Sequence, residues 1–260
     1  MLSENINLLS KRNSSGEYYY GMDFSLTSTG LVVLDKGGEL VDKTSVTSSS
    51  SDGTRTQRVA DIAYCLEQYL DNYTPRIFSS ESVTVSRQIK SMMLLCNIEG
   101  AVLQTLDIFS REIDAPLPYL LSCNASSIKT CASGDGKATK GTMQMEVLSR
   151  WGVKTDTDDE ADAFTAAKLG YFLDKFKRVY LEFSFMCESV AQEEELLMDL
   201  CKGRHEEFYK EAKSQGLERQ DVDTLVGILS GSGNGGSGMN LMSENDKNYY
   251  YEAVKRLKEK

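Results

Sequence analysis

Four acidic residues have the types and spacing to do chemistry. Asp23 sits in Gly21-Met22-Asp23-Phe24-Ser25-Leu26-Thr27-Ser28-Thr29-Gly30, and Glu81 closes the run Arg76-Ile77-Phe78-Ser79-Ser80-Glu81. Asp159 and Asp162 stand three apart in Asp158-Asp159-Glu160-Ala161-Asp162-Ala163. The first two fall on expected strands. The last two open an expected helix, where a spacing of three puts them on one face. A fold that brings the four together makes a carboxylate cluster, and such a cluster needs cations. Mg²⁺ is the natural one, a hard ion that prefers oxygen ligands and keeps part of its water shell. The matching chemistry is phosphodiester cleavage, in which two metal ions about 3.5–4 Å apart stabilise the attacking and leaving oxygens. Alone, Asp159-x-x-Asp162 would read as helix capping and dipole matching. Asp23 and Glu81 turn it into a ligand set.

The elements that must position these acids alternate along the chain. Residues 18–25 and 30–35 read as strands joined by a Thr/Ser turn, and 40–47 as a third strand. The serine-rich run 48–53 is a loop. Residues 54–69 carry Val59, Ile62, Ala63, Leu66 and then Leu70 at helical spacing, ended by Pro75. A fourth strand spans 76–83, a long apolar helix 89–109, and a fifth strand 119–123 after Pro116 and Pro118. Two more helices are expected over 139–151 and 159–176. Three consecutive strands followed by alternating helices and strands predict an α/β fold, a mixed five-stranded sheet flanked by helices. Gly100, inside the long helix, is expected to permit close packing on the sheet or across a dimer, since a mid-helix Gly otherwise costs about 1 kcal/mol against Ala.

Composition narrows the class. The chain has 260 residues with 40% hydrophobic and 26% charged residues, as in a globular protein with a sizeable core. No apolar run reaches the roughly 18 residues needed to span a bilayer, so no membrane association is expected. The first residues lack a basic n-region and an apolar h-region, so no secretory signal is expected, and a cytoplasmic location follows. Six scattered cysteines with no C-x-x-C, and a single histidine, argue against zinc and for reduced thiols. The net charge of −10 gives no excess of positive charge for strong non-specific DNA binding. Residues 1–180 account for −4 of it, which is the charge of the four proposed ligands.

The composition then changes. Residues 181–230 are highly charged with interspersed Leu196, Leu197, Leu200 and Phe208, and read as a helical extension that either packs on the core or contacts a partner. Residues 231–238, Gly-Ser-Gly-Asn-Gly-Gly-Ser-Gly, read as an engineered flexible linker, with a native Gly/Ser linker as the alternative. Met239 follows, as if starting a second polypeptide. Residues 239–260 are predicted to form a short helix capped by Ser243, with Tyr250, Val254 and Leu257 as one apolar stripe. Such a helix is marginal alone. It reads as a fused partner peptide tethered within about 16 Å of its groove.

Taken in order, these residues resemble the RuvC-type Holliday-junction resolvases of the ribonuclease-H-like or retroviral-integrase superfamily, in particular phage-encoded members. The resemblance covers residues 17–177. Gly21-x-Asp23-x-Ser25-Leu26-Thr27-x-Thr29-Gly30 is similar to the family's first strand and turn, and Glu81 to its second acid. Lys129-Thr130 and Gly134-Asp135-Gly136-Lys137-Ala138-Thr139-Lys140 resemble its lysine-bearing segment. Asp159-Glu160-Ala161-Asp162-Ala163 resembles the closing D-x-x-D-A. The resemblance implies an RuvC-like nuclease domain over residues 1–180, acting on branched DNA as a homodimer with two Mg²⁺ per site, Mn²⁺ being able to substitute. Asp23 would bridge both ions, with Glu81 on one and Asp159 or Asp162 on the other. Lys140 would stabilise charge on the scissile phosphate. Lys129, Lys137 and Arg87 are further candidates for DNA contact, with solvated surface residues as the alternative. One departure stands out. Family members often carry an aromatic residue shortly after the second acid, and Ser82-Val83-Thr84-Val85-Ser86-Arg87-Gln88 has none.

Two other readings compete. The fold could serve as a non-catalytic DNA-binding or scaffold subunit of a phage replication or transcription complex, binding a partner through the segment mimicked by 239–260. An intact acid set argues against it, because an unused carboxylate cluster is self-repulsive. The motif G-x-D-x-S-x-T-x-T-G is also similar to the phosphate loop of actin-like kinases and ATPases, but those need a second such domain and an adenosine site.

Overall fold

The structure is a computed structural model that describes residues 16–83, 89–187 and 190–230. The expected linker, the segment 239–260 and Arg87 lie outside the described residues. Strands β1 (Tyr18–Asp23), β2 (Ser28–Leu34) and β3 (Leu40–Thr47) are followed by helix α1 (Arg55–Leu70), β4 (Pro75–Glu81), α2 (Ile89–Glu112) and β5 (Tyr119–Cys123). Then come α3 (Ala125–Ser133), α4 (Lys140–Trp151), α5 (Asp158–Met186), α6 (Val190–Cys201), α7 (Glu206–Ser214) and α8 (Arg219–Ser230). The five strands form one mixed sheet in the order β3-β2-β1-β4-β5. The first three are antiparallel neighbours, while β4 and β5 run parallel to β1. This is the ribonuclease-H-like sheet expected above.

The described residues divide into two compact units, 16–173 and 174–230, and α5 passes through the boundary. In the first unit the strands alternate strictly. Tyr20, Met22, Leu31, Val33 and Phe78 face one way and join Ile62, Leu66 and Leu70 of α1 with Ile98, Val102 and Leu106 of α2 in a buried cluster. Each of these side chains stabilises the fold by about 1.5–3 kcal/mol through burial. Helix α1 starts where the sequence signals it. Thr54 caps the Gln57 N–H, and the Gln57 side chain returns to the Thr54 backbone.

The opposite face carries Gly21, Asp23, Gly30 and Ser79, and α5 lies against it. A Cβ built on Gly21 would stand 1.9 Å from the Ala163 carbonyl oxygen. Buried Ala161, Ala163, Ala166 and Ala167 are the matching small residues of α5. Small side chains on both partners thus let helix and sheet meet backbone to backbone.

Helix α2 is long and apolar enough by length and composition to cross a membrane, a test that core helices of globular proteins also pass. Its average hydropathy is high although Glu99 interrupts the apolar run, and Ile98, Val102 and Leu106 are spent on the core. Residues 125–133, expected only as a lysine-bearing segment, form a helix capped by Asn124, whose Oδ1 accepts the Ser127 N–H at 2.8 Å. The helix expected over 159–176 extends to Met186. The second unit is helical as expected. Its core holds Phe176, Tyr180, Leu196, Leu200, Phe208, Val222 and Leu225, with Phe176 and Phe208 ring centroids 5.4 Å apart.

Candidate active site

The acids arrive from three elements at one end of the sheet. Asp23 is the last residue of β1, paired with Gly30 of β2. The parallel pairing of β1 with β4 runs to Met22 and Ser80, so Asp23 and Glu81 each follow the last paired residues. Asp159 and Asp162 lie in the first turns of α5. A Cβ on Gly30 would stand 2.2 Å from the Asp159 carbonyl oxygen, which places the start of α5 directly on the strand beside Asp23.

Their electrostatics show mutual proximity. Burial, then the charges of Glu81, Asp162 and Asp159, push the Asp23 carboxyl up to about 8, with Lys140 opposing. Burial and then Asp162 raise Glu81, with Lys129 opposing. Asp162 is pushed up to about 6, chiefly by burial; Lys129 and Lys140 oppose this, while Asp159 and Asp158 add to it. Desolvation is the largest influence throughout, and like charge adds to it. Asp162 Oδ1 is buried without a hydrogen-bond partner. A buried, unpaired carboxylate oxygen among other acids is a costly arrangement that a cation would relieve.

Among the described residues no group of three or more His, Cys, Asp or Glu side chains is gathered tightly enough to hold a metal ion as it stands. The four acids are therefore brought to one place but not closed into a cage. The donor set nevertheless fits a hard divalent cation: it is all oxygen and anionic, and one buried oxygen lacks a partner.

The lysines separate into two groups. Lys140 opens α4, 3.3 Å from Asp158 Oδ2, with its side chain 69% exposed. Burial alone would lower its pKa, but the Asp158 hydrogen bond and the charges of Asp158, Asp159 and Asp23 raise it. Lys129, on α3, acts on both Glu81 and Asp162. Lys137 lies in an exposed turn, its N–H held by Asp135 Oδ1 at 2.9 Å, and it is not among the largest influences on the acids.

Other neighbours were missed in the sequence. Buried Arg58 of α1 donates to the Leu26 carbonyl at 3.0 Å, to the Ser48 carbonyl at 2.9 Å and to Ser48 Oγ at 2.8 Å. It ties the turn after Asp23 to the serine loop. Glu160, between Asp159 and Asp162, is buried and paired with Lys43 of β3. The pattern Thr157-x-x-Glu160 is a capping-box signature that would have marked the helix start. The partner on β3 had no local signal.

With this geometry, the family model described as "Crossover junction endodeoxyribonuclease RuvC" matches residues 19–168. The chain belongs to the RuvC family. The match takes in all four acids and the three lysines. Among curated proteins, the RuvC of Anaplasma marginale (strain St. Maries) is 27% identical over 151 residues, covering 57% of this chain and 82% of that protein. The RuvC of Ehrlichia ruminantium (strain Gardel) is 29% identical over 154 residues, covering 56% and 91%. The structure of Thermus thermophilus RuvC aligns with a TM-score of 0.49 at 21% identity, over 60% of this RuvC-family chain and 95% of its own.

Proposed function

We propose that this chain is a structure-selective endodeoxyribonuclease that resolves Holliday junctions or other branched DNA by hydrolysing phosphodiester bonds. The observation that carries the reading is the convergence of Asp23, Glu81, Asp159 and Asp162 at one end of the sheet, inside the matched family region. These four would hold two Mg²⁺ ions, with Asp23 central because the other three acids all act on it. The ions, when bound, would supply an activated water and stabilise the leaving oxygen. Lys140, exposed at the start of α4 beside Asp158, would meet a DNA phosphate. Lys129 would temper the negative charge at Glu81 and Asp162.

Two opposed strands of a junction call for two sites, and helix α2 offers the means. Ile89, Met93, Cys96, Gly100 and Leu103 follow one another at spacings of four and three, and all five are exposed. That spacing is a coiled-coil seam. A Cβ on Gly100 would meet nothing within 4 Å, so Gly100 does not serve packing on the sheet and suits the close approach of a second α2. A homodimer through this face is the arrangement we favour. The partner peptide of 239–260 and a phage source remain readings of the sequence alone.

The test is cleavage of a synthetic four-way junction by purified protein in Mg²⁺, beside Asp23→Asn. Cleavage by the wild type and none by the variant is expected. Equal activity in both would sink the proposal and favour the scaffold reading.

A further inference from the structure

A compact polar network holds the start of α5. Lys43 Nζ of β3 donates to Glu160 Oε2 and to Asp156 Oδ2, each at 2.6 Å. Glu160 Oε2 also accepts the Asp156 N–H at 2.9 Å, and its Oε1 accepts the Ser45 hydroxyl at 3.3 Å. Ser45 Oγ is 3.0 Å from Thr157 Oγ1, which accepts the Glu160 N–H at 3.1 Å. Both oxygens of one carboxylate are thus engaged. Its side chain is 7% exposed and that of Lys43 20%.

The register explains where this network sits. Asp23 pairs with Gly30, and Gly30 with Ser45, so the three share one row across the sheet. Gly21 pairs with Val32, and Val32 with Lys43, in the next row on the same face. The start of α5 lies over both rows. Glu160 therefore fixes the helix to β3, while the charges of its neighbours Asp159 and Asp162 act on Asp23 of β1. A first helical turn ordinarily frays. Here it is held by a charge-assisted clamp whose anchor, Lys43, belongs to the rigid sheet.

We infer that Glu160, through Lys43 and Ser45, is a positioning residue that sets Asp159 and Asp162 for metal binding. The inference rests on the metal-dependent reading above. Outer partners of metal ligands commonly control affinity 10–100-fold. The competing account is a bridge that only stabilises the fold. A buried pair can often be replaced by apolar residues without loss of stability, whereas removing one partner strands a charge. The two accounts therefore diverge in a double variant.

The experiment measures three things on the full chain: Mn²⁺ binding to DNA-free protein by calorimetry, Tm, and the Mg²⁺ concentration for half-maximal junction cleavage. Glu160→Gln and Lys43→Met should each weaken Mn²⁺ binding about tenfold or more and raise the Mg²⁺ requirement similarly. Lys43→Arg should stay close to wild type. Lys43→Met/Glu160→Leu should regain Tm while Mn²⁺ binding stays weak. Metal affinity that recovers together with Tm in the double variant, or is unchanged in Glu160→Gln, overturns the positioning role and leaves the nuclease reading standing. A wild type that binds no Mn²⁺ overturns the metal reading and this inference with it.

Discussion

Gly30 and the Asp159 carbonyl leave no room between them: a Cβ on Gly30 would stand 2.2 Å from that oxygen. The contact is with backbone, so a side chain at Gly30 must push the whole first turn of α5 off the sheet. Gly30→Ala is expected to destabilise by about 1–3 kcal/mol as an overpacked position. It should also cut junction cleavage far more than the Tm shift explains, because Asp159 and Asp162 move with the turn. Calorimetry beside single-turnover cleavage checks this; activity that merely follows the folded fraction would contradict it.

The pH dependence follows from Asp23. Its folded pKa is raised to about 8 from an ordinary carboxylate value near 4. Between those values the folded state keeps a proton that the unfolded state releases, so folding stability falls as pH rises through the window and levels off above it. Metal-free protein should therefore lose Tm between about pH 4 and 8. Mg²⁺ should raise Tm more at pH 8 than at pH 5, because it binds the ionised set. In Asp23→Asn the fall should be shallower. Thermal scans across pH with chelator and with Mg²⁺ give the answer, and identical slopes in wild type and variant would refute it.

The lysines should differ in rank. Lys140→Ala is expected to slow cleavage about 100–1,000-fold, the order seen when one charge-stabilising donor is lost. Lys129→Ala should act through the acids and shift the Mg²⁺ dependence. Lys137→Ala should have a smaller effect than either. Single-turnover rates at several Mg²⁺ concentrations separate the three.

The exposed seam of α2 makes a prediction about assembly. Leu103→Glu places a charge on that seam without touching the buried Ile98, Val102 and Leu106. Sedimentation should show a shift to monomer with Tm nearly unchanged. Paired cuts across one junction should then become single nicks. A wild type that sediments as a monomer at all concentrations would remove the dimer from the proposal.

Much of this was legible in the chain. Asp23 and Glu81 could be placed because strand runs with clear turn signals end on them, and Asp159 and Asp162 because helical spacing sets them on one face. The sheet followed from three adjacent strands and two crossovers. What was hidden depended on distance along the chain. Glu160 meets Lys43 across more than a hundred residues, and no periodicity announces such a pair. Gly21 and Gly30 were visible as glycines, but the docking of the expected helix onto them was not. The helix 125–133 was missed because its Asn, Ser and Thr residues weigh toward turns, while Asn124 in fact caps it.

The acids lie at positions 23, 81, 159 and 162, and this spacing has a consequence in time. A chain emerging from the ribosome presents Asp23 and Glu81 well before the helix that carries the other two has been made. A domain generally folds as a unit, once its residues have emerged. No partly made chain ending before α5 holds the full set, and none can use Glu160 to seat the last pair. A nuclease assembled in this order is inert toward the nucleic acids around it until the rest of its sheet is in place and its final ligand helix has docked.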